Sequence, residues 1–179
     1  MRTRAAALAL SAVLCAAAAP AQDAQPKTEW TLTLGYGHTV ELVHAADTSD
    51  HLALFMPQWG RRLSNVVEYV AAGHFAGYFG DANGYFLGIL PAGARFQLPN
   101  TPLHPYFVFQ AGFGWTDLKI IEINRRFNFI LTGGFGLRFP KASESGLLEI
   151  RLVHYSNAGT VLPNYGLNSI ALVAGWRLP

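Results

Sequence analysis

The stretch FNFILTGGFGLRF, from Phe127 to Phe139, alternates two kinds of side chain with a period of two. One set of alternate positions carries phenylalanine and leucine around a single glycine; the other carries glycine, asparagine, isoleucine, threonine and arginine. Successive side chains of a β-strand point to opposite faces, so this segment is predicted to be a strand between two very different environments. A bulky apolar face suits lipid, and a glycine-rich face suits the cramped interior of a narrow barrel.

Two further segments repeat this alternation. PYFVFQAGFGW, residues 105–115, and EWTLTLGYG, residues 29–37, both oppose large apolar side chains to a face that is small or polar. In a soluble sandwich the bulky face would be the core and the polar face would be wet, but the glycine on the second face favours a membrane barrel. The predicted fold is therefore all-β, an eight-stranded antiparallel transmembrane β-barrel of the outer-membrane type.

Eight strands account for the length of the chain. They are predicted at roughly residues 29–42, 51–60, 66–79, 85–97, 105–116, 127–139, 147–156 and 167–177. Eight strands leave about twenty residues for each strand with its connection, which suits spans of ~10 residues joined by short turns, whereas ten strands would leave about sixteen. Pro57 interrupts the second strand and makes its pattern the least regular of the eight.

The chain starts with two arginines, an apolar stretch from Ala5 to Ala19, and the small-residue sequence Ala19-Pro20-Ala21. This order is typical of a secretory signal peptide, and the apolar stretch is short for a membrane-spanning helix. Residues 1–21 are therefore predicted to be removed, which leaves residues 22–179 as a single β-barrel domain. Cleavage takes away Cys15, the only cysteine, so no disulfide or thiol chemistry is expected in the mature chain.

Cleavage also removes Arg2 and Arg4, so that eleven Lys and Arg balance eleven Asp and Glu. A net charge near zero gives no electrostatic reason to expect nucleic-acid binding. The histidines outside the segment discussed below form no H-x-H or H-x-x-x-H grouping with carboxylates; they are His38, His44, His51, His74 and His104. No metal site is therefore expected.

The polar faces of the predicted strands collect five charged residues, Glu68, Arg95, Arg138, Glu149 and Arg151. Charges inside a barrel must be paired, because an isolated buried charge is costly. We therefore expect these residues to form a polar network in the barrel interior.

The predicted strand at 147–156 ends in RLVHYS and places His154 and Ser156 on the face opposite Glu149 and Arg151. If the charged face points inward, the histidine and the serine face lipid. Their Cα atoms are ~6.6 Å apart with parallel side chains, close enough for the imidazole to approach the hydroxyl. They are either the base and nucleophile of a hydrolase or two polar groups in the head-group region bonded to loop backbone, and parity alone leaves both open.

The residues after this strand supply further groups. Asn157 and Gly159 are candidate side-chain and backbone N–H donors to an oxyanion. Asn168 begins the last strand on the lipid-facing side and is placed to meet His154 across the hairpin. With both termini at the periplasmic side of an eight-stranded barrel, this hairpin lies at the extracellular rim. The suspected site therefore faces the outer leaflet, and a lipid of that leaflet would be its substrate.

The motif HYSNAG, followed by Pro163-Asn164-Tyr165-Gly166, resembles the signature of the PagL lipid A 3-O-deacylases, which are outer-membrane barrel esterases. A fainter similarity runs upstream through HPYFVFQAGFGW and FNFILTGGFGLRF. The resemblance implies removal of the ester-linked 3-hydroxyacyl chain at the 3-position of lipid A, without a metal or organic cofactor. It also implies a place in the bacterial outer membrane, with lipid A of lipopolysaccharide in the outer leaflet as the partner.

The same resemblance implies roles for individual residues. His154 matches the family's general base and Ser156 its nucleophile, while Asn157 and Gly159 match its oxyanion-hole residues. Phe129 matches an aromatic contact with the acyl chain. Parity independently puts Phe129 on the outward face, together with the histidine and the serine.

One position departs from the family pattern, because Asn168 stands where members carry a glutamate as the third triad residue. An asparagine holds the imidazole through Oδ1 but contributes no negative charge. Either Asn168 serves with weaker activity or another carboxylate completes the triad; Glu149 is near in sequence, yet its parity points it inward. A non-catalytic structural barrel with a degenerate site and an esterase of phospholipids remain as alternatives, and a homodimer is left open.

Overall fold

The computed structural model describes residues 28–41, 49–98, 101, 103–123, 125–139, 146–162 and 164–178. The predicted signal peptide lies outside these ranges. Within them, no helix is long and apolar enough to cross a membrane.

Eight antiparallel strands form one closed barrel, in which consecutive strands pair and β1 closes the sheet against β8. The strands are β1 (Thr28–Thr39), β2 (Asp50–Arg62), β3 (Val67–Gly80), β4 (Gly84–Gln97), β5 (Pro105–Thr116), β6 (Phe127–Phe139), β7 (Gly146–Ser156) and β8 (Leu167–Arg177). The predicted fold class is confirmed. Strand limits differ from the predicted ones by a few residues at most, and the predicted end of β1, residue 42, lies outside the described ranges.

Pro57 lies inside β2 without ending the strand. Because proline has no N–H to donate, it cannot take part fully in the ladder, and the β2–β3 pairing pauses between Phe55 and Gln58. Gly73 on β3 leaves room for the proline ring, since a Cβ at this glycine would lie 3.1 Å from Pro57 Cγ. The least regular pattern in the sequence is therefore still a strand.

The bulky side chains of the alternating pattern face outward. On β6 the exposed set and the buried set alternate residue by residue: Phe127, Phe129, Leu131 and Phe135 are exposed, and Asn128, Ile130 and Thr132 are buried. The other strands add further exposed aromatic and aliphatic side chains all round the barrel. Such a continuous apolar surface exceeds what a water-soluble protein displays and forms a lipid-facing wall.

The interior at mid-height is organised around Arg151. This buried guanidinium contacts the Glu149 carboxylate and donates to Gln110 Oε1 at 2.9 Å. The second carboxylate oxygen of Glu149 accepts from the Tyr106 hydroxyl at 2.9 Å. Every charge in this group therefore has an opposite charge or a polar partner.

A second interior group lies toward the end of the barrel at which β1 starts and β8 ends. Arg95 donates to Glu68 at 2.7 Å and to Gln58 at 3.0 Å, and Arg138 contacts both Glu68 and Glu29. The predicted polar network is therefore confirmed, with Glu29 as an additional member.

The outer end of the interior is closed by apolar side chains from the β5–β6 connection. Leu118 and Ile123 of this connection are buried in one cluster with Tyr155 of β7 and Leu167 of β8. This packing fixes the β5–β6 connection beneath the β7–β8 loop, which carries the suspected site.

Candidate active site

The β7–β8 register brings two of the expected site residues together. His154 lies directly opposite Asn168, and the distance from His154 Nδ1 to Asn168 Oδ1 is 2.8 Å. An amide oxygen only accepts hydrogen bonds, so Nδ1 carries the proton and donates it. In the neutral imidazole Nε2 then has a free lone pair, which is the arrangement that a general base requires.

Gly166 packs against the same imidazole from the loop side. It has φ of +76°, and a Cβ built on it would lie 2.6 Å from His154 Cε1. Its N–H donates to the carbonyl of Glu122 in the β5–β6 connection at 2.9 Å. The glycine therefore has two reasons to be glycine, a left-handed backbone and a close approach to His154.

Replacing Gly166 with alanine is expected to lower any reaction rate that depends on the His154 imidazole about tenfold or more, while the barrel still forms. The added methyl group must push the imidazole away from Asn168, and φ of +76° costs an alanine about 1–2 kcal/mol. Initial rates, together with the gel mobility of the folded barrel, would measure this effect. Gly133→Ala, at an outward position on β6 where no heavy atom lies within 4 Å of the new Cβ, is the comparison. Equal losses in both variants would contradict a positioning role for Gly166.

Ser156 ends β7 and is the register partner of Phe129 on β6. Its Oγ accepts hydrogen bonds from the Ala158 N–H at 3.0 Å and from Asn164 Nδ2 at 3.1 Å. Among the described residues, no hydrogen bond joins Ser156 to His154. Proton transfer between them requires the hydroxyl to turn from the loop toward the imidazole, an adjustment that active sites without substrate often need.

Asn164 is a residue whose contact with the serine the sequence reasoning missed. Besides donating to Ser156, its Oδ1 accepts from the backbone N–H of Asn157 at 3.1 Å. One carboxamide thus holds the serine hydroxyl and the start of the loop together. Asn164 belongs to the family motif quoted above, which was the one sign of its importance. Its distance from Ser156 along the sequence did not indicate that the two side chains are in contact.

The two residues expected to form an oxyanion hole have different surroundings. The buried Asn157 side chain donates from Nδ2 to the carbonyls of Val161 at 3.0 Å and Ile123 at 3.3 Å. A role as side-chain donor to substrate would require it to leave both carbonyls. Gly159 is exposed, has φ of +73° and follows Ala158 at φ of +54°. The Gly159 backbone N–H therefore remains a candidate donor to an oxyanion, whereas the Ala158 N–H donates to Ser156 Oγ.

Two glutamates are candidate replacements for the acidic triad residue that position 168 lacks. Glu149 is buried against Arg151 inside the barrel, as its parity predicted, and therefore does not reach the outward face. Glu122 is buried in the β5–β6 connection, and its carbonyl bonds to Gly166, the residue packed on His154. In the described contacts Asn168 is the residue that holds the imidazole.

Comparison with known families decides which group of barrels this is. The family described as "Lipid A 3-O-deacylase (PagL)" matches residues 52–177, a stretch that runs from the third residue of β2 to the end of β8 and contains the whole candidate site. The chain belongs to the PagL family of lipid A 3-O-deacylases. A comparison with curated protein sequences gives no match.

Solved structures agree with the PagL-family fold. The crystal structure of the outer membrane enzyme PagL superposes with a TM-score of 0.65 at 18% identity and covers 81% of this chain and 97% of that one. Neisserial surface protein A gives 0.62 at 13% identity over 87% and 99% of the two chains. The N-terminal β-barrel domain of Pseudomonas aeruginosa OprF gives 0.52 at 14% identity over 86% and 100%. The PagL-family chain is thus an outer-membrane β-barrel.

Proposed function

We propose that this chain is a serine esterase that removes the ester-linked 3-hydroxyacyl chain from the 3-position of lipid A in the outer leaflet. The observation that carries the proposal is the outward-facing pair His154 and Asn168 beside Ser156, at the end of β7 and inside the stretch matched by the PagL family. The Nδ1 proton of His154 is bonded to Asn168, which leaves Nε2 free to act as a base. Such a base next to a serine at a lipid surface suits acyl transfer from a membrane lipid.

The reaction begins when Ser156 Oγ attacks the acyl carbonyl carbon and His154 Nε2 takes the hydroxyl proton. The carbonyl oxygen becomes an oxyanion, to which the backbone N–H of Gly159 can donate. The Ala158 N–H becomes a second donor once Ser156 Oγ has turned away from it toward His154. The tetrahedral intermediate then breaks its bond to the sugar 3-oxygen, and His154 returns the proton to this leaving group. Water attacks the acyl-enzyme by the same route and releases the 3-hydroxy fatty acid, regenerating Ser156.

Phe129 supports the choice of a long acyl chain as substrate. It lies opposite Ser156, is exposed on the lipid-facing wall and packs edge to face against Phe127, with ring centroids 6.0 Å apart. Phe113 continues this surface at 5.9 Å from Phe127. Phe113 is the register partner of Phe129, so a chain attached to the carbonyl at Ser156 would lie against an aromatic surface at the level of the serine.

Restoring a carboxylate at position 168 is expected to increase turnover. Asn168→Glu would place a negative charge beside the imidazolium that forms during catalysis, and we expect a gain of about tenfold in kcat, since charge-assisted hydrogen bonds are the stronger kind. Asn168→Gln is the matched control, because it has the same side-chain length without the charge. The assay is fatty-acid release from lipid A micelles. Equal effects of the two substitutions would show that the missing charge is not limiting.

A degenerate, non-catalytic barrel is the second candidate, and the bonding of Ser156 to Asn164 instead of His154 favours it. The same substitution separates the two. If the wild-type chain is inactive and Asn168→Glu gains activity, the site is degenerate; substantial wild-type turnover excludes degeneracy.

The lipid class is tested by competition. Mixed micelles of lipid A and phosphatidylethanolamine, incubated with the purified wild-type chain, are analysed for the fatty acid released. The proposal predicts 3-hydroxy fatty acid from lipid A with the phospholipid intact. Release of unsubstituted fatty acid from the phospholipid would assign the chain to phospholipid hydrolysis instead.

A further inference from the structure

A depression lies in the lipid-facing wall at β2 and β3, away from Ser156. Its floor is formed by two small outward residues, Ala53 and Gly77, which are direct register partners. The depression has a volume of about 380 Å³. A Cβ built on Gly77 would have no heavy atom within 4 Å, so this space is open above the glycine.

The strand register shows how large side chains surround the small ones. The row of outward residues that crosses β1 to β4 at this height is Tyr36, Ala53, Gly77 and Tyr85. The next row toward the periplasm is Leu34, Phe55, Phe75 and Leu87. The depression is therefore an apolar groove beside Tyr85, with a floor of small residues and bulky apolar side chains below.

A polar cluster stands at the extracellular end of this groove. His38 and His51 are register partners with ring centroids 4.2 Å apart, and His51 stacks on Phe79 at 5.4 Å with the planes 13° apart. The Tyr36 hydroxyl lies 2.5 Å from His51 Nδ1. When the phenol donates to Nδ1, the neutral imidazole carries its proton on Nε2 and offers a hydrogen-bond donor that Tyr36 and Phe79 hold in place.

We infer that the groove and the histidine pair form a second lipid-binding site, for an acyl chain of lipid A whose phosphate accepts hydrogen bonds from His38 and His51. The wall is immersed in the outer membrane, so an apolar depression in it is filled by hydrocarbon. Its volume of about 380 Å³ leaves room for a segment of one acyl chain above Phe55 and Phe75. Imidazole donors at the extracellular end match the level of an outer-leaflet phosphate.

This site is separate from the one at Ser156. Between β2 and β7 lie β1 and β8, so the two sites are three strand spacings apart, which is ~14 Å measured along a curved wall. Because the barrel is closed and has eight strands, two sites that are three strands apart face in different directions. Each site would therefore hold its own lipid molecule, and the second site does not depend on ester hydrolysis.

Native mass spectrometry of the Ser156→Ala chain, released from detergent micelles with added lipid A, tests this inference, because no lipid is consumed. We expect Ala53→Leu or Gly77→Leu, made in this background, to remove one bound lipid A relative to the parent, with an affinity loss of about tenfold at the second site. Ala111→Leu, the same change at an outward position on β5, is the matched control and should leave the lipid count unchanged. An unchanged count in Ala53→Leu would overturn the proposal.

The head-group requirement is tested separately. His51→Phe keeps a ring on Phe79 but removes the donor, and should weaken binding of lipid A about tenfold without affecting lipid A that lacks phosphates. Phosphatidylglycerol that fills the site as well as lipid A, or a dimer in which a second copy covers Ala53, would overturn the choice of occupant. If no lipid binds at Ser156, the Ser156→Ala chain binds one lipid A molecule instead of two. Ala53→Leu in that background still lowers the number of bound lipid A molecules by one. Failure of the proposed hydrolysis is therefore distinguishable from failure of this site.

Discussion

Replacing Ser156 with alanine is expected to lower the rate of lipid A deacylation by about 10⁴-fold or more, because the covalent route through the serine oxygen is lost. Ser156 lies at the end of β7 on the lipid-facing side, opposite Phe129. Its removal should leave the barrel intact, since the hydroxyl bonds only to the Ala158 N–H and the Asn164 side chain in the described contacts. Single-turnover rates in lipid A micelles measure the loss.

The matched control is Ser64→Ala, a serine-to-alanine change in the β2–β3 turn at the opposite end of the barrel. The Ser64 hydroxyl accepts from the N–H groups of Val66 and Val67, so its loss affects only that turn. We expect wild-type rates for this variant. Retention of more than about a tenth of the activity in Ser156→Ala would remove the serine from the mechanism, because a nucleophile that is lost costs far more than this.

Replacing Arg151 with leucine is expected to lower the free energy of unfolding by about 3–5 kcal/mol, since it leaves Glu149 as an unpaired charge in the barrel interior. Glu149 is buried, and Arg151 is the oppositely charged residue that contacts it. Tyr106 alone, with its one hydrogen bond to the carboxylate, cannot replace a guanidinium. Urea unfolding in lipid vesicles, followed by tryptophan fluorescence, gives the free energy.

Two companion variants make this result specific. Arg177→Leu removes an exposed arginine that lies 3.7 Å from Glu29, and should cost less than about 1 kcal/mol, as exposed ion pairs do. The double variant Arg151→Leu with Glu149→Gln should recover a substantial part of the loss, because the uncompensated charge is then gone. A loss in Arg177→Leu as large as in Arg151→Leu would contradict the importance of burial.

The fold followed from the sequence because period-two alternation and strand parity are local properties. FNFILTGGFGLRF alone indicated which β6 side chains face lipid, and the outward exposure of Phe129 and Phe135 agrees with it. The same parity indicated that Glu149 and Arg151 share the inner face, where they pair. Even β2 follows the rule, since Gly73 on the neighbouring strand accommodates Pro57.

The candidate site was less accessible to such reasoning. Parity put His154 and Asn168 on one face, and the hairpin register makes them opposite partners. The loop contacts were not predictable, because they depend on residues that are distant in sequence. The bond between Gly166 and Glu122 and the bond between Asn157 and Ile123 both join the β7–β8 loop to the β5–β6 connection. Asn164 contacts Ser156 only because that loop folds back on itself.

The mass of lipid A extracted from a Gram-negative host that produces the folded chain in its outer membrane tests the central claim most directly. Hydrolysis at Ser156 predicts a lipid A that is lighter by one 3-hydroxyacyl group, and full-mass lipid A in a host producing the Ser156→Ala chain at the same level. Full-mass lipid A in the presence of the folded wild-type chain would contradict the proposed function, as would an equal mass loss with both chains.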